Sequence, residues 1–255
     1  MVFFDFMKEI LQNIHRVNDY ERTLFHAKYE ACTETLNRWY SEVRPDQANN
    51  NFFVPTGTLT CLDIDTAIEI QKKRGLNYLM IRMEHPMDAQ LQEVFSFEED
   101  VTCVMALLKD TADNWKENGE IEIRDIQTSD ISSDLLDVSS VPVPYQEAAY
   151  RNMQMVLQCA KEDPNYHWLC AYQNGVRTGS VYALYHQGFV EMDDLWVEPE
   201  YRNRYIATTL MKYIVKTFGG TLYLHADASA TPKDMYARMG FETVETVYDY
   251  YLEWD

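Results

Sequence analysis

The stretch Leu195-Trp-Val-Glu-Pro-Glu-Tyr-Arg-Asn-Arg-Tyr-Ile-Ala207 decides the fold of this 255-residue chain. It begins with the apolar end of a strand, stops at Pro199, passes through an arginine-bearing turn and enters an amphipathic helix. The first N–H groups of a helix have no partner inside the helix, and the helix dipole adds positive potential there. A strand that runs through a cationic turn into a helix N-terminus therefore predicts a phosphate-binding site.

Two motifs in the C-terminal half resemble the GNAT superfamily of acetyl-CoA-dependent N-acetyltransferases. The superfamily's pyrophosphate motif, Arg/Gln-x-x-Gly-x-Gly/Ala, stands here as Arg202-Asn-Arg-Tyr-Ile-Ala207, with Tyr205 in place of the middle glycine. Its late Leu-Tyr-x-x-x-Gly-Phe-Glu signature stands as Met235-Tyr-Ala-Arg-Met-Gly-Phe-Glu242. The resemblance covers about residues 119–255. It implies a mixed α/β (α+β) fold, in which helices flank a mostly antiparallel GNAT-type sheet.

The two halves of the chain echo each other. A shift of 144 residues aligns 51–110 with 195–254 without a gap. Gly75 then falls on Gly219, in each case after a helical run and before a strand, where a helix C-terminus favours glycine. The matches therefore indicate an internal repeat. The alternative, that two unrelated strand–helix–strand units look alike, stays open.

The N-terminal copy lacks the residues that the resemblance makes important. Thr58-Leu-Thr-Cys-Leu-Asp63 replaces the arginine turn, and its final Asp would compete with phosphate at the helix start. Gln92 stands at the position that matches Tyr236. We therefore predict a second, partial and degenerate GNAT-like domain over residues 1–115, which binds no coenzyme, and a GNAT acetyltransferase domain over residues 119–255.

Apolar spacing gives the remaining elements. A spacing of three to four residues over Phe6–Val17, continued loosely over Leu24–Leu36, predicts helix in the first domain. The second domain is predicted to open with a strand at Glu120–Ile126 and a helix at Tyr145–Lys161. Three antiparallel strands then lead into helix, strand, helix and strand, with a tight hairpin turn at Asn174–Gly175.

The composition argues against several classes of partner. The net charge of −19 disfavours nucleic acid and anionic lipid, which require clustered Lys and Arg, and it favours a cationic substrate, although solubility alone explains it equally well. No apolar run is long enough for a transmembrane helix. Five scattered cysteines predict buried thiols in a reducing compartment, and hence a cytoplasmic protein. The six histidines lack metal-ligand spacing, so we expect no metal.

Acetyl transfer to an amine needs a pyrophosphate anchor, an open strand edge for the thioester, a base and an acid. By the resemblance, the strand end would pair with the pantetheine arm as an added strand, and one of its N–H groups would steady the thioester oxygen. The turn and the helix start would hold the pyrophosphate. The cofactor-binding residues predicted in this way are Leu195, Trp196, Val197, Arg202, Asn203, Arg204, Tyr205, Ile206, Ala207 and Thr208.

Strand alternation supplies the candidate base. Asp194 shares a face with Trp196, away from the core, and is the predicted base. Asp193 and Glu191 are alternates if a bulge changes the faces. Tyr236, in the late signature, is the predicted acid for the departing thiolate.

Two hypotheses follow for the function. The first is a cytoplasmic acetyl-CoA-dependent N-acetyltransferase that transfers acetyl directly to a primary amine of a small-molecule or peptidyl acceptor. Direct transfer is expected because no Cys or Ser stands beside a His in a nucleophile arrangement. The second is a catalytically inactive tandem GNAT-like protein that binds a ligand or partner. It is favoured by Tyr205, whose ring either packs beside the coenzyme or blocks its site.

Overall fold

The computed structural model describes residues 2–45, 47–109, 111–136, 142–143 and 146–254. They form a mixed α/β fold in which helices flank mostly antiparallel strands, as predicted. In chain order the elements are α1 Val2–Leu24, β1 Ala27–Ala31, β2 Leu36–Ser41, β3 Phe52–Pro55, α2 Cys61–Lys73, β4 Tyr78–Met83, α3 Ala89–Phe95, β5 Glu98–Ala106, β6 Glu122–Asp125, α4 Ser132–Leu135, α5 Gln146–Glu162, β7 Tyr166–Gln173, β8 Val176–His186, β9 Phe189–Val197, α6 Ile206–Phe218, β10 Thr221–Asp227, α7 Thr231–Arg238 and β11 Glu242–Glu253.

The chain forms two compact units, and each unit contains segments from both halves of the sequence. The first unit consists of the N-terminal residues up to Val17, Ala106–Leu224 and Ala237–Glu242. The second consists of Asn18–Met105, His225–Tyr236 and the residues from Thr243 onward. The division into 1–115 and 119–255 concerns the two halves of the sequence, and it stays a prediction.

The first unit contains the phosphate-binding stretch. Its strands lie in the order β10-β9-β8-β7-β6, with β10 parallel to β9 and the other pairs antiparallel. The predicted turn Asn174–Gly175 joins β7 and β8 and has φ of 53° and 79°, the left-handed values that such a hairpin requires. Helix α6 packs on one face of this sheet, where the ring centres of Phe218 and of His167 on β7 lie 4.4 Å apart.

The second unit has the strand order β1-β2-β3-β4-β11-β5. Strand β3 is parallel to β4, and β11 is antiparallel to β4, with Tyr250 opposite Ile81. Its core is closed around α2, whose Ile64 and Ala67 are fully buried against Phe53 and Leu79. The final strand of the chain therefore completes a sheet built mostly from N-terminal residues.

The internal repeat is visible in the elements. Shifting α2 by 144 residues places it at 205–217, and α6 occupies Ile206–Phe218. The same shift places β4 at 222–227, where β10 occupies Thr221–Asp227. In both copies a glycine with positive φ follows the helix, Gly75 at 74° and Gly219 at 65°. The two halves therefore share their order of strand, helix, strand, helix and strand.

Some sequence-based expectations were wrong. The helical spacing over Leu24–Leu36 fails because β1 and β2 form a hairpin there, in which Tyr29 packs on Trp39 at 5.2 Å across the strands. Not all cysteines are buried, since the free thiol of Cys61 is exposed. The helix predicted over 145–161 is α5, and Tyr145 lies outside the described residues. None of the described helices has the length and apolar character needed to cross a bilayer.

Candidate functional site

Strand β9 is paired along its whole length on one side and along part of its length on the other. Its parallel register with β10 runs from Phe189 opposite Thr221 to Met192 opposite Leu224 and ends there. Strand β8 continues beside β9 as far as Val197, which lies opposite Gly179. The stretch 193–197 therefore has one supported edge and one open edge, as an added extended segment requires.

Backbone direction identifies which groups face the open edge. In an antiparallel pair, residues bonded to the partner strand alternate with residues whose N–H and C=O point away from it. Glu198 N donates to the carbonyl of Thr178 at 3.0 Å, so the neighbouring Val197 directs its carbonyl away from β8. Gly179 permits the close approach, since a Cβ there would lie 2.7 Å from the Trp196 carbonyl oxygen.

A β-bulge interrupts β9 at the predicted base. Tyr182 of β8 lies opposite Asp193, Ser180 lies opposite Trp196, and β9 has one extra residue between these pairs. Asp194 sits in the bulge with φ of 48°. The bulge brings both carboxylates to Tyr182, whose hydroxyl donates a hydrogen bond to Asp194. The predicted base and its first alternate thus lie beside one phenol.

Both bulge carboxylates have shifted acidities. They reach the surface, yet the surrounding strands and rings exclude much of the water around them, and this burial raises the pKa of Asp193 and of Asp194. The hydrogen bond from Tyr182 offsets part of the effect at Asp194. Burial and the two nearby carboxylates raise the pKa of Tyr182. A carboxylate with a raised pKa is a better general base near neutral pH than an ordinary one.

The other alternate base, Glu191, lies deeper on the same face. It is 6% exposed and accepts a 3.0 Å hydrogen bond from the hydroxyl of Tyr223 on β10. Along the neighbouring strands this face continues as an aromatic wall, where Trp168 of β7 meets Tyr182 edge-on at 4.9 Å. Trp168 is only 2% exposed, so Tyr182 is the ring that an amine beside these carboxylates can contact.

The predicted phosphate turn has a backbone shaped for binding an anion. Asn203 and Tyr205 both have positive φ, 61° and 60°. The first intrahelical bond of α6 runs from Thr209 N to the carbonyl of Tyr205, so the N–H groups of Ile206–Thr208 precede it. The side chain of Tyr205 makes no capping hydrogen bond to this helix start, and the first turn contains no acid. The predicted cofactor residues at the turn therefore offer uncapped N–H donors in a positive environment.

Tyr205 occupies the left-handed conformation that glycine adopts most easily. It is the N-cap of α6, with φ 60° and ψ 19°, and its side chain is 49% exposed. The Lys116 ammonium lies 5.5 Å from the centre of its ring, so the ring is held beside the segment that precedes β6. The tyrosine thus keeps the backbone shape of a glycine at a cost of about 1–2 kcal/mol.

The segment before β6 supports the turn, and the sequence motifs did not identify it. The side-chain Nδ2 of Asn118 donates to the carbonyl of Arg204 at 3.1 Å. The backbone N–H of Asn118 donates to the Thr209 hydroxyl at 2.8 Å. Lys212, buried on α6, donates to the carbonyl of Trp115 at 3.0 Å. The polar, glycine-ended composition suggests a linker, whereas these bonds fix the segment to the start of α6.

The arginines of the turn rest on aromatic rings. The Arg202 guanidinium lies 5.0 Å from the ring centre of Trp196, which is 46% exposed, and its Nε donates to the Val197 carbonyl at 3.1 Å. The Arg204 guanidinium lies 5.2 Å from the ring centre of Tyr201. Leu195 and Val197 are half-buried.

Tyr236 belongs to the other compact unit. It lies on α7 and is 8% exposed. Its role as the acid stays a prediction.

The start of α2, the N-terminal counterpart of the α6 turn, is closed by its own side chains. Thr60 and Asp63 form a capping box, and the Asp63 carboxylate also accepts a 2.6 Å bond from the Thr35 hydroxyl. Burial acts to raise the pKa of Asp63, but the hydrogen bonds from Thr35 and Thr60 outweigh it, and the pKa lies below its usual range. This ionised carboxylate occupies the place that a phosphate would need.

Comparison with known proteins finds a family model that matches part of the chain. The family model of the acetyltransferase (GNAT) family matches residues 129–241. These residues, less than half of the chain, therefore match a GNAT domain. No curated protein matches the chain.

Solved structures agree with the fold over nearly the whole chain. A functionally unknown conserved protein from Staphylococcus epidermidis is similar with a TM-score of 0.78 at 19% identity, covering 89% of this chain and 94% of that one. A GCN5-related N-acetyltransferase from Kribbella flavida gives 0.56 at 11% identity, covering 94% and 95%. A tandem GNAT protein from the clavulanic acid biosynthesis pathway gives 0.53 at 12% identity, covering 86% and 82%. At these identities the likeness shows the fold.

Proposed function

We propose that the protein is an acetyl-CoA-dependent N-acetyltransferase that transfers acetyl directly to a primary amine of a small-molecule or peptidyl acceptor. One observation carries the proposal: the open edge of β9 at residues 193–197 leads directly into the uncapped N-terminus of α6. The edge suits an extended amide-bearing arm, and the helix start suits a diphosphate. The residues present therefore fit coenzyme A.

The proposed chemistry divides between two residues of the chain. Acetyl-CoA supplies the acyl group as a thioester. Asp194 takes the proton from the amine, so that the nitrogen lone pair attacks the thioester carbon, and Tyr236 gives a proton to the sulfur as the C–S bond breaks. The raised pKa of Asp194 supports the base role, and the place of Tyr236 in the late signature supports the acid role.

The charge of the chain supports an amine as the acceptor. The net charge is −19, and neither Asp193 nor Asp194 forms an ion pair within the described residues. The net negative charge would attract a cationic acceptor over a distance, and the two unpaired carboxylates would orient it locally. Among the described residues no group of His, Cys, Asp and Glu is placed to hold a metal.

The second candidate, an inactive binding protein, is favoured by one observation. The Arg202 side chain already occupies the Val197 carbonyl that an arm of coenzyme A would use. Titration of the full chain with acetyl-CoA, followed by measurement of thiol release with a panel of primary amines, separates the candidates. Saturable binding with thiol release that Asp194→Asn abolishes supports the enzyme. Binding without release from any amine supports the inactive protein, and no binding of acetyl-CoA contradicts the enzyme.

A further inference from the structure

The side chain of Arg202 can contact either the end of strand β9 or a diphosphate at the start of α6. Its Nε donates to the Val197 carbonyl at 3.1 Å, and its guanidinium lies 5.0 Å from the centre of the Trp196 ring, within the range of a cation–π contact. The same side chain starts the turn whose uncapped N–H groups suit a diphosphate. Both places lie within reach because only the short turn 198–201 separates the strand end from Arg202.

The carbonyl that Arg202 holds lies on the open edge. Val197 lies opposite Gly179 but is not hydrogen-bonded to it, so the Val197 C=O points away from β8. It points to the edge of β9 where pairing with β10 has ended, after Met192. An amide-bearing arm added along this edge needs that acceptor for its own N–H. The arm and the Arg202 side chain therefore compete for one oxygen atom.

A diphosphate would change this balance. Hydrogen bonds between a guanidinium and a phosphate oxygen are charge-assisted and stronger than a bond to a neutral carbonyl, and the planar fork of arginine can bind two oxygens at once. A ligand with a diphosphate can therefore draw Arg202 away from Val197, whereas a ligand with the arm alone cannot.

We propose that Arg202 is a latch on the donor site, held on Trp196 and Val197 until a diphosphate releases it, so that the site selects thiol donors that carry a diphosphate. The inference rests on the proposed function, since it concerns the same coenzyme site. Trp196 is then a positioning residue, because it holds the guanidinium on the strand end. Acyl donors that have the pantetheine arm without a diphosphate are disfavoured, because Arg202 keeps its hydrogen bond to the Val197 carbonyl.

The test compares two ligands, coenzyme A and pantetheine, on the full chain by isothermal titration and ligand-observed NMR. Arg202→Ala should weaken coenzyme A binding about tenfold to a hundredfold, because a charged contact is lost. The same change should tighten pantetheine binding about two- to tenfold, because the Val197 carbonyl is freed. The opposite signs distinguish a latch from a simple phosphate contact, which would leave pantetheine binding unchanged.

Two further variants sharpen the test. Trp196→Leu removes the ring that holds the guanidinium and should tighten pantetheine binding, while Trp196→Phe keeps a ring and should give the pantetheine affinity of the parent protein. Arg124→Ala is the matched control: its guanidinium lies 4.2 Å from the centre of the Tyr172 ring and donates to Glu122, on β6, which β7 and β8 separate from β9. It should leave pantetheine binding unchanged.

The outcomes separate the two claims. The latch is overturned if the parent protein binds coenzyme A but its pantetheine affinity equals that of Arg202→Ala. It is also overturned if neither protein binds pantetheine detectably at millimolar ligand. The proposed function stands in both cases. Failure of the parent protein to bind coenzyme A overturns both. Thermal unfolding of each variant confirms that the comparison is made on folded protein.

Discussion

The starts of α2 and α6 have the same place in the repeat and opposite chemistry. At α2, Thr60 caps the helix and the buried carboxylate of Asp63 accepts hydrogen bonds from Thr60 and Thr35. At α6, the cap is Tyr205 in a left-handed conformation with no side-chain hydrogen bond. The first arrangement satisfies the helix internally and closes it to anions. The second leaves its N–H groups available, so we expect the α2 start to serve stability and the α6 start to bind an anion.

The largest expected effect concerns the acid. The residue that matches Tyr236 in the N-terminal copy is Gln92, which cannot supply a proton in the same way. Tyr236→Phe keeps the ring, so coenzyme A affinity and melting temperature should stay near those of the parent protein. Turnover should fall by about 10²–10⁴, the usual share of general acid catalysis. Steady-state kinetics that show parental turnover would assign Tyr236 to packing alone.

The next effect concerns the base, and it depends on pH. The pKa of Asp194 is raised above the usual carboxyl value of about 4, and the protonated form cannot act as a base. We therefore expect kcat/KM to fall as the pH drops through that raised pKa. Asp194→Asn should lower turnover by about 10²–10⁴ and remove this limb of the pH profile.

Asp194→Asn should lower turnover without lowering the stability of the fold. An ionised group whose folded-state pKa is raised costs folding free energy above that pKa, because the native state binds the proton more tightly than the unfolded state. Asp194→Asn should therefore not lower the melting temperature at pH 7. A clear loss of stability would show that the charge of Asp194 holds the bulge together, and the raised pKa would then be wrong.

Removing the internal anion of α2 should affect stability and leave binding unchanged. Asp63→Ala leaves the hydroxyls of Thr35 and Thr60 without their acceptor, which should cost about 1–3 kcal/mol in the free energy of unfolding. Because the pKa of Asp63 is lowered in the folded state, this contribution is present above about pH 4 and is lost as the pH falls through the folded-state value. Urea titrations at pH 7 and pH 3 should show the difference shrinking, and an equal difference at both would contradict the assignment.

The smallest effect concerns the cap of α6. Tyr205→Gly relieves a left-handed tyrosine, at a cost of about 1–2 kcal/mol, and adds flexibility to the unfolded chain, at about 0.5–1 kcal/mol. We expect a net stabilisation of under about 1.5 kcal/mol in urea titration, while Tyr205→Ala, which keeps its Cβ, gains nothing. Destabilisation of the glycine variant would mean that the ring contact with Lys116 outweighs the backbone strain.

The sequence predicted the strands, the helices and the repeat more fully than the site. Turn glycines, alternation and the arginine turn follow local rules, so β9 and α6 could be located from residue patterns alone. The bulge at Asp194 could not, because it depends on the register between β9 and Tyr182 of β8. The position of the Arg202 side chain could not either, since it depends on a carbonyl whose direction is set by strand pairing. Each compact unit contains segments from both halves of the sequence, because β11 joins strands of the N-terminal half. Neighbouring residues in the sequence do not specify which strands β11 pairs with, so this could not be predicted either.

The central claim is that the open helix start binds coenzyme A and its closed counterpart does not. A crystal structure of the full chain with coenzyme A tests this most directly. We expect one molecule per chain, with its diphosphate on the N–H groups of residues 203–208 and the Arg202 side chain turned away from Val197. Coenzyme A bound at Thr58–Asp63, or at both helix starts, would contradict the claim.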